Sequence, residues 1–400
     1  MPTTASLLPS PGAARMGRIS VSATAAVVIE AEKLRAAGAD LVDFGAGEPD
    51  FPTPEHIKRA AIAAIQEDFT RYTATGGIAA LKDAIRQTHG QDFGSQYERE
   101  EVLVTVGGKH ALFNAISALI DHGDEVILPA PYWVSFKDQI TYAGGTPVIV
   151  ATDENDGFGL SAEMIARQVT ARTRMILLNS PANPSGAVFT PETFRGVLEL
   201  CRERGLWLLS DECYAKFVYD GRPYSAAGEP NAKDWLIVAG SLSKTYAMTG
   251  WRLGYLLGPR AVIKKAVNLQ SHSTSNATSF VQKAGIAALT GPQEPVAAML
   301  AEYTRRRRAI VEGLRAIPGV SCTMPAGAFY AYPNIGALLG RPGTATPLEF
   351  AAKLLHEAGV VTVPGEAFGT DRHIRFSYAT SLETIQKGLE RFADFCAKLR

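Results

Sequence analysis

Leu236-Ile237-Val238-Ala239 and, after Gly240, Ser241-Leu242-Ser243-Lys244-Thr245-Tyr246-Ala247-Met248-Thr249-Gly250-Trp251-Arg252-Leu253-Gly254 form the stretch on which the reading of the whole chain turns. Four apolar residues without polar alternation read as a strand buried on both faces. The segment from Ser241 to Gly254 is dense in hydroxyls and carries a lysine and an arginine eight positions apart. In open α/β sheets ligands bind beyond the carboxyl ends of the strands, so polar residues placed there are the first candidates for chemistry.

Working outward, similar runs recur at 102–106, 125–128, 147–150, 175–178, 206–210 and 253–257, separated by longer helical stretches and ending in Gly, Pro, Ser or Asp. Such alternation predicts a mostly parallel sheet flanked by helices. Beyond about residue 297 the pattern changes to a long helix at 298–314, a Gly-punctuated strand at 328–332, a helix at Pro347–Ala358, two short strands and a final amphipathic helix from Leu382. That is the pattern of a smaller α+β unit. The helical segment 23–37 is expected to pack with it. The expected division is 1–52 as an N-terminal arm and part of the small domain, 53–297 as the large domain, and 298–400 as the rest of the small, discontinuous domain. The four arginines at 305–308 point all round a helix and predict a solvated face with some ion pairs.

Length and composition agree with two domains. A chain of 400 residues exceeds the size at which a single core stops growing, about 250–300 residues. With 46% hydrophobic and 20% charged residues it lies far from the disordered corner. Forty Lys+Arg balance forty Asp+Glu, so no global basic excess points to nucleic acid or an anionic membrane. Cys201, Cys213, Cys322 and Cys396 are far apart, without a C-x-x-C pair, which argues against a zinc site or a disulfide framework and fits a reducing, cytoplasmic compartment. No apolar run approaches the ~18 residues of a spanning helix. The first 29 residues hold Arg15 and Arg18 and no acid before Glu30, which a loose tail with Pro2, Pro9 and Pro11 explains as well as a transit peptide does.

Two glycine clusters resemble nucleotide loops and fail the test. Gly45-Ala46-Gly47-Glu48-Pro49-Asp50 has Asp50 where a dinucleotide fingerprint needs its third glycine, and Pro49 where the helix should open. Around Gly107-Gly108-Lys109-His110, Leu103 and His110 break both ends of a P-loop. A strand that ends in Gly-Gly and opens a helix nevertheless presents free N–H groups, a general phosphate cradle.

Lys244 admits two readings from its neighbours. One is a Schiff-base lysine with Ser241 and Arg252 beside a phosphate. The other is a serine acyltransferase using Ser241-x-x-Lys244, but its companion motifs fail: Ser210-Asp211 is followed by Glu212, and Lys244-Thr245 by Tyr246. Asp211 follows the run at 206–210, where a helix cap or turn residue is the ordinary assignment.

Taken in order, 45–51, Arg71-Tyr72-Thr73, 104–113, Pro131-Tyr132-Trp133, 183–186, 211–214, 241–254 and 374–378 resemble the fold-type I pyridoxal-phosphate enzymes. Within them the series is most similar to the class I aminotransferases of the bacterial-type aspartate aminotransferase subgroup. The resemblance covers nearly the whole chain. It implies that Lys244 joins the cofactor as a Schiff base and, once released, moves a proton at the substrate α-carbon. Asp211 would hold the pyridinium N–H, while Tyr214 and Asn183 would bond the phenolic oxygen and Trp133 would stack on the ring. Gly108, Lys109, Ser241 and Arg252 would receive the phosphate, joined by Tyr72 of a neighbouring subunit, which implies a homodimer with composite sites. Arg375 would clamp the substrate α-carboxylate, with Gly47 at the same end.

The same resemblance assigns Lys109 and Thr24 to the far carboxylate of a dicarboxylic substrate. The expected reaction is a ping-pong transamination from L-aspartate to 2-oxoglutarate, with amino acids and 2-oxo acids as the small-molecule partners, no nucleic acid or membrane partner, and no metal. The chain has Ser20 where many members of the subgroup carry lysine or arginine. Broader specificity, including prephenate or aromatic amino acids, and a pyridoxal-phosphate lyase are the alternatives.

Overall fold

The computed structural model describes residues 12–20 and 23–399, with side chains for all of these except 23–28. Twelve strands occur among them: β1 Val42–Asp43, β2 Val102–Thr105, β3 Glu125–Ala130, β4 Thr146–Ala151, β5 Thr173–Asn179, β6 Trp207–Asp211, β7 Leu236–Ser241, β8 Gly254–Leu257, β9 Tyr330–Ala331, β10 Val360–Val361, β11 Val363–Pro364 and β12 Ile374–Ser377. Seven of them form the main sheet in the order β2-β8-β7-β6-β5-β3-β4. β8 runs antiparallel to both of its neighbours, and the pairs from β7 across to β4 are all parallel. Every main-sheet strand coincides with one of the runs read from the sequence.

Both faces of this sheet are covered, which is why its strands lack polar alternation. Successive side chains feed opposite cores: Val104, Ile176, Leu208 and Val238 pack on one side, and Leu103, Leu177, Leu209 and Ile237 on the other. Truncating any of these to alanine should cost about 2–5 kcal/mol, because burial is lost and a cavity remains. Two of the helices between strands start at readable caps. Thr190 accepts from Thr193 N ahead of Pro191–Arg204, and Thr346 accepts from Glu349 N ahead of Pro347–Ala358.

The chain's two ends meet in smaller sheets. β1 pairs in parallel with β10, and β9, β12 and β11 form an antiparallel trio. Ala31, in the helix Ala23–Ala36, packs against Leu355 and Val361. Phe44 N donates to Val361 O and Phe44 O accepts from Ser377 N, so the segment after β1 is stitched beside β12. This stitching brings Gly45 and Gly47 next to Arg375.

One expectation is half overturned. On the helix Glu294–Arg315, Arg305 and Arg308 are exposed and Arg305 pairs with Glu302, as a solvated helix with ion pairs requires, but Arg306 and Arg307 are buried at 6% and 5% exposure. Arg306 pairs with Asp50 and Glu302, and Arg307 with Asp220. Two consecutive helical positions differ by ~100°, and this helix is embraced on enough of its circumference to bury both.

Candidate active site

Three parallel neighbours end side by side. The register places Asn179 opposite Asp211 and Asp211 opposite Ala239, two residues before Ser241 closes β7. Helix Gly108–Leu119 opens after β2, two positions further along the sheet. A cavity of about 520 Å³ lies over these ends and is lined by Gly47, Gly108, Lys109, Trp133, Asn183, Asp211, Tyr214, Ser241, Lys244, Arg252 and Arg375. That is the size of an ordinary small-molecule site. Tyr72 is not in it and stands on the surface at 90% exposure. Thr24 belongs to the helix Ala23–Ala36, and its side chain lies outside the described residues.

At the cavity floor Asp211 is 5% exposed, and one of its oxygens accepts from Cys213 N at 3.0 Å. Burial raises its carboxyl to about 7; the Cys213 N–H opposes the rise and the neighbouring Glu212 charge adds to it. Lys244 Nζ donates to Gly47 O at 2.5 Å, and burial lowers the ammonium below its usual range. The nucleophile of an acyl-transfer reading would be Ser241, yet its Oγ accepts from Ser243 N at 3.1 Å while the lysine is engaged with Gly47. The nucleophile–base hydrogen bond that the acyl-transfer reading needs is therefore not formed between Ser241 and Lys244.

The Gly107-Gly108 pair is required by what lies against it. Gly107 has φ +83°, and a Cβ there would fall 2.5 Å from an Arg252 Nη atom; one on Gly108 would fall 3.0 Å from Ser241 Cβ. So the start of helix Gly108–Leu119, the Ser241 hydroxyl and the Arg252 guanidinium converge. The first N–H groups of a helix have no partner within it and point outward, which makes this convergence an anion cradle. Arg252 is held by Nη1 donating to Thr249 O at 3.0 Å.

On the opposite wall Arg375 is 2% exposed. Its Nη1 donates to Asn183 Oδ1 at 3.0 Å, its Nη2 donates to Gly45 O at 2.8 Å, and its buried Nε has no partner. The guanidinium lies over the rings of Tyr330 at 4.5 Å and Phe368 at 5.2 Å. The Lys109 ammonium sits 5.0 Å over the Trp133 ring and is lowered by burial and then by the Arg252 charge. Among the described residues none of Lys109, Lys244, Arg252 and Arg375 has a carboxylate within 4.0 Å, in contrast to the buried Arg306 and Arg307. Four unneutralised cations around a single carboxylate describe a pocket shaped for a small polyanion.

Tyr330 is the wall residue that sequence reasoning missed. Its hydroxyl is 2.8 Å from that of Tyr214, and it lies against Gly47, where an added Cβ would be 3.2 Å from the Tyr330 hydroxyl. It stands in no recognisable motif; the strand at 328–332 was the one signal that placed it.

A desolvated lysine and a buried carboxylate at strand ends, beside an anion cradle, make this an α/β fold with a pocket suited to a small anionic ligand. Comparison with known proteins agrees. Residues 39–392 match the family model "Aminotransferase class I and II". The chain is 44% identical to an aspartate aminotransferase of Geobacillus stearothermophilus, over 96% of this chain and 98% of that one, and 46% identical to another of Streptomyces avermitilis, over 94% of each. The crystal structure of the aspartate aminotransferase from Rhizobium meliloti superposes with a TM-score of 0.93 at 42% identity, covering 97% of this chain and 99% of that one. The chain belongs to the class I and II aminotransferases, and it is a transferase enzyme.

Proposed function

We propose that the protein is a pyridoxal-phosphate-dependent aspartate aminotransferase working as a homodimer in the cytoplasm. The observation that carries this reading is the joint placement of Lys244, Asp211, Arg252, Arg375 and Lys109 around one cavity, with the four cations unneutralised. The residues present fit that cofactor: a cradle of N–H groups, hydroxyl and guanidinium for a phosphate, a buried carboxylate lacking a cation, and a lysine between them. The division into a large unit at 53–297 and a discontinuous small unit belongs to the same reading.

Pyridoxal phosphate, when bound, supplies an electron sink for the pair released as the substrate α-carbon loses its proton. Asp211 would hold a proton at the pyridine nitrogen, and its burial makes that charge-assisted bond strong. Gly108 N, Lys109 N, Ser241 Oγ and Arg252 would bind the phosphate, with the hydroxyl of Tyr72 reaching it across a dimer; the 90% exposure of Tyr72 in the single chain supports that contact. Tyr214 and Asn183 would bond the phenolic oxygen, and Trp133 would cover the ring. Lys244 would be the covalent anchor and then the general base and acid; burial lowers its ammonium below the usual range, which favours the neutral amine that both roles need. Arg375 would bind the substrate α-carboxylate with its planar fork. Lys109, with Thr24, would bind the far carboxylate and so favour aspartate and 2-oxoglutarate.

The test is a Lys244→Ala protein assayed with aspartate and 2-oxoglutarate for glutamate and oxaloacetate. The rate should fall by at least about 10²-fold, the usual worth of a positioned proton-transfer group. Transamination at the wild-type rate would refute the assignment.

A further inference from the structure

The arginine run at 305–308 leaves a buried guanidinium that none of the chemistry above uses. Arg306 Nη1 donates to both oxygens of Asp50, at 2.8 and 2.9 Å, and its Nε donates to Glu302 at 2.8 Å. The planar group also lies over the rings of Phe51 at 5.2 Å and Tyr303 at 5.6 Å. Asp50 and Phe51 close the loop that begins at Gly45. Within that loop Gly45 O accepts from Arg375, and Gly47 O accepts from Lys244. Other bonds tie the loop and its flank to the lysine's own segment: Thr249 Oγ1 donates to Glu48 at 2.8 Å, and Thr53 Oγ1 donates to Ala247 O at 2.5 Å. The Arg306 fork ties it instead to the long helix Glu294–Arg315.

We propose that Arg306 and Asp50 are a positioning pair, holding the Gly45 and Gly47 carbonyls at the height that aims Arg375 at the substrate carboxylate and Lys244 at its site of action. The physical case is that the buried guanidinium is fixed in plane by Nε on Glu302 of its own helix, so that Nη1, shared between both Asp50 oxygens, holds the loop in one place. Loss of Arg306 would free Asp50, whose side chain is already 30% exposed, to turn to water, and the loop would lose its hold on the helix. Displacements of about 1 Å at such a site cost as much as 10²-fold. The inference rests on the reading of Arg375 as the carboxylate clamp.

The experiment compares wild type, Arg306→Gln, Arg306→Lys and Asp50→Asn as cofactor-loaded proteins, with Arg307→Gln as the control. Arg307 is equally buried on the same helix but pairs with Asp220 and Pro325 O, away from the loop. Two quantities are read: calorimetric binding of maleate, a four-carbon dicarboxylate without an amino group, and the pH midpoint of the cofactor's visible band, which reports on Lys244 without any ligand. Arg306→Gln and Asp50→Asn should weaken maleate at least tenfold and move the midpoint by half a pH unit or more. Arg306→Lys should recover part of both. Arg307→Gln should lower thermal stability and leave both readings near wild type. Equal effects from Arg306→Gln and Arg307→Gln, or no effect from Arg306→Gln and Asp50→Asn, would overturn the proposal. Failure of the wild type to bind maleate would instead count against the dicarboxylate reading, and the ligand-free midpoint would still decide the positioning pair.

Discussion

Asp211→Asn should have opposite effects on the two forms of the protein. In the cofactor-free chain Asp211 is a buried carboxyl raised from an ordinary 3.8 to about 7, chiefly by burial. Below about pH 4 it is protonated whether the chain is folded or not, so its burial carries no titration penalty. Between about pH 4 and 7 the unfolded chain releases the proton while the folded chain keeps it, and stability falls as pH rises. Above about 7 the loss is complete. At about 1.4 kcal/mol per tenfold step the loss is at most about 2–3 kcal/mol near pH 5.5 and about 4–5 kcal/mol near pH 8. Asparagine is neutral throughout, and its Oδ1 can still accept from Cys213 N. The cofactor-free variant should therefore be more stable than wild type by about these amounts, with the gap widening as pH rises. Urea unfolding followed by tryptophan fluorescence at pH 5.5 and 8 measures the gap. In the loaded enzyme the same change removes a charge-assisted bond of about 1.5–3 kcal/mol, so cofactor affinity should fall roughly ten- to hundredfold. A cofactor-free variant no more stable than wild type at pH 8 would show that Asp211 bears no uncompensated charge, and the reasoning would fail.

Two further substitutions separate the ends of the substrate. Arg375→Ala should raise KM for every amino acid, because the α-carboxylate is common to all, whereas Lys109→Ala should penalise acidic substrates alone by about ten- to hundredfold; identical selectivity profiles would disprove the division. Gly107→Ala combines a φ of +83° with a Cβ only 2.5 Å from Arg252, so it should loosen phosphate binding and lower thermal stability. Retention of full cofactor affinity in that variant would argue against Arg252 as a phosphate ligand.

The main sheet was legible because its strands are buried on both faces and therefore apolar throughout, as in Leu236-Ile237-Val238-Ala239. Their order was not, nor the reversal of β8, since both depend on pairings between residues far apart in sequence. The cavity residues were legible in proportion to their motifs: Lys244 and Arg252 share one dense stretch, while Tyr330 stands alone and was found only in three dimensions. Arg306 and Arg307 were misread for a related reason. Their acidic partners Asp50 and Asp220 lie 256 and 87 residues away, and a local charge run says nothing about such distant neutralisation. Tyr72 illustrates the converse: its proposed role lies in a partner's site, which a single chain does not contain.

The central claim is most directly tested by the absorption spectrum of the purified protein as single amino acids are added. A visible cofactor band should be lost on addition of aspartate and hardly change with lysine or alanine, with oxaloacetate as the product. A protein with no such band, or one whose band ignores aspartate, would contradict the claim.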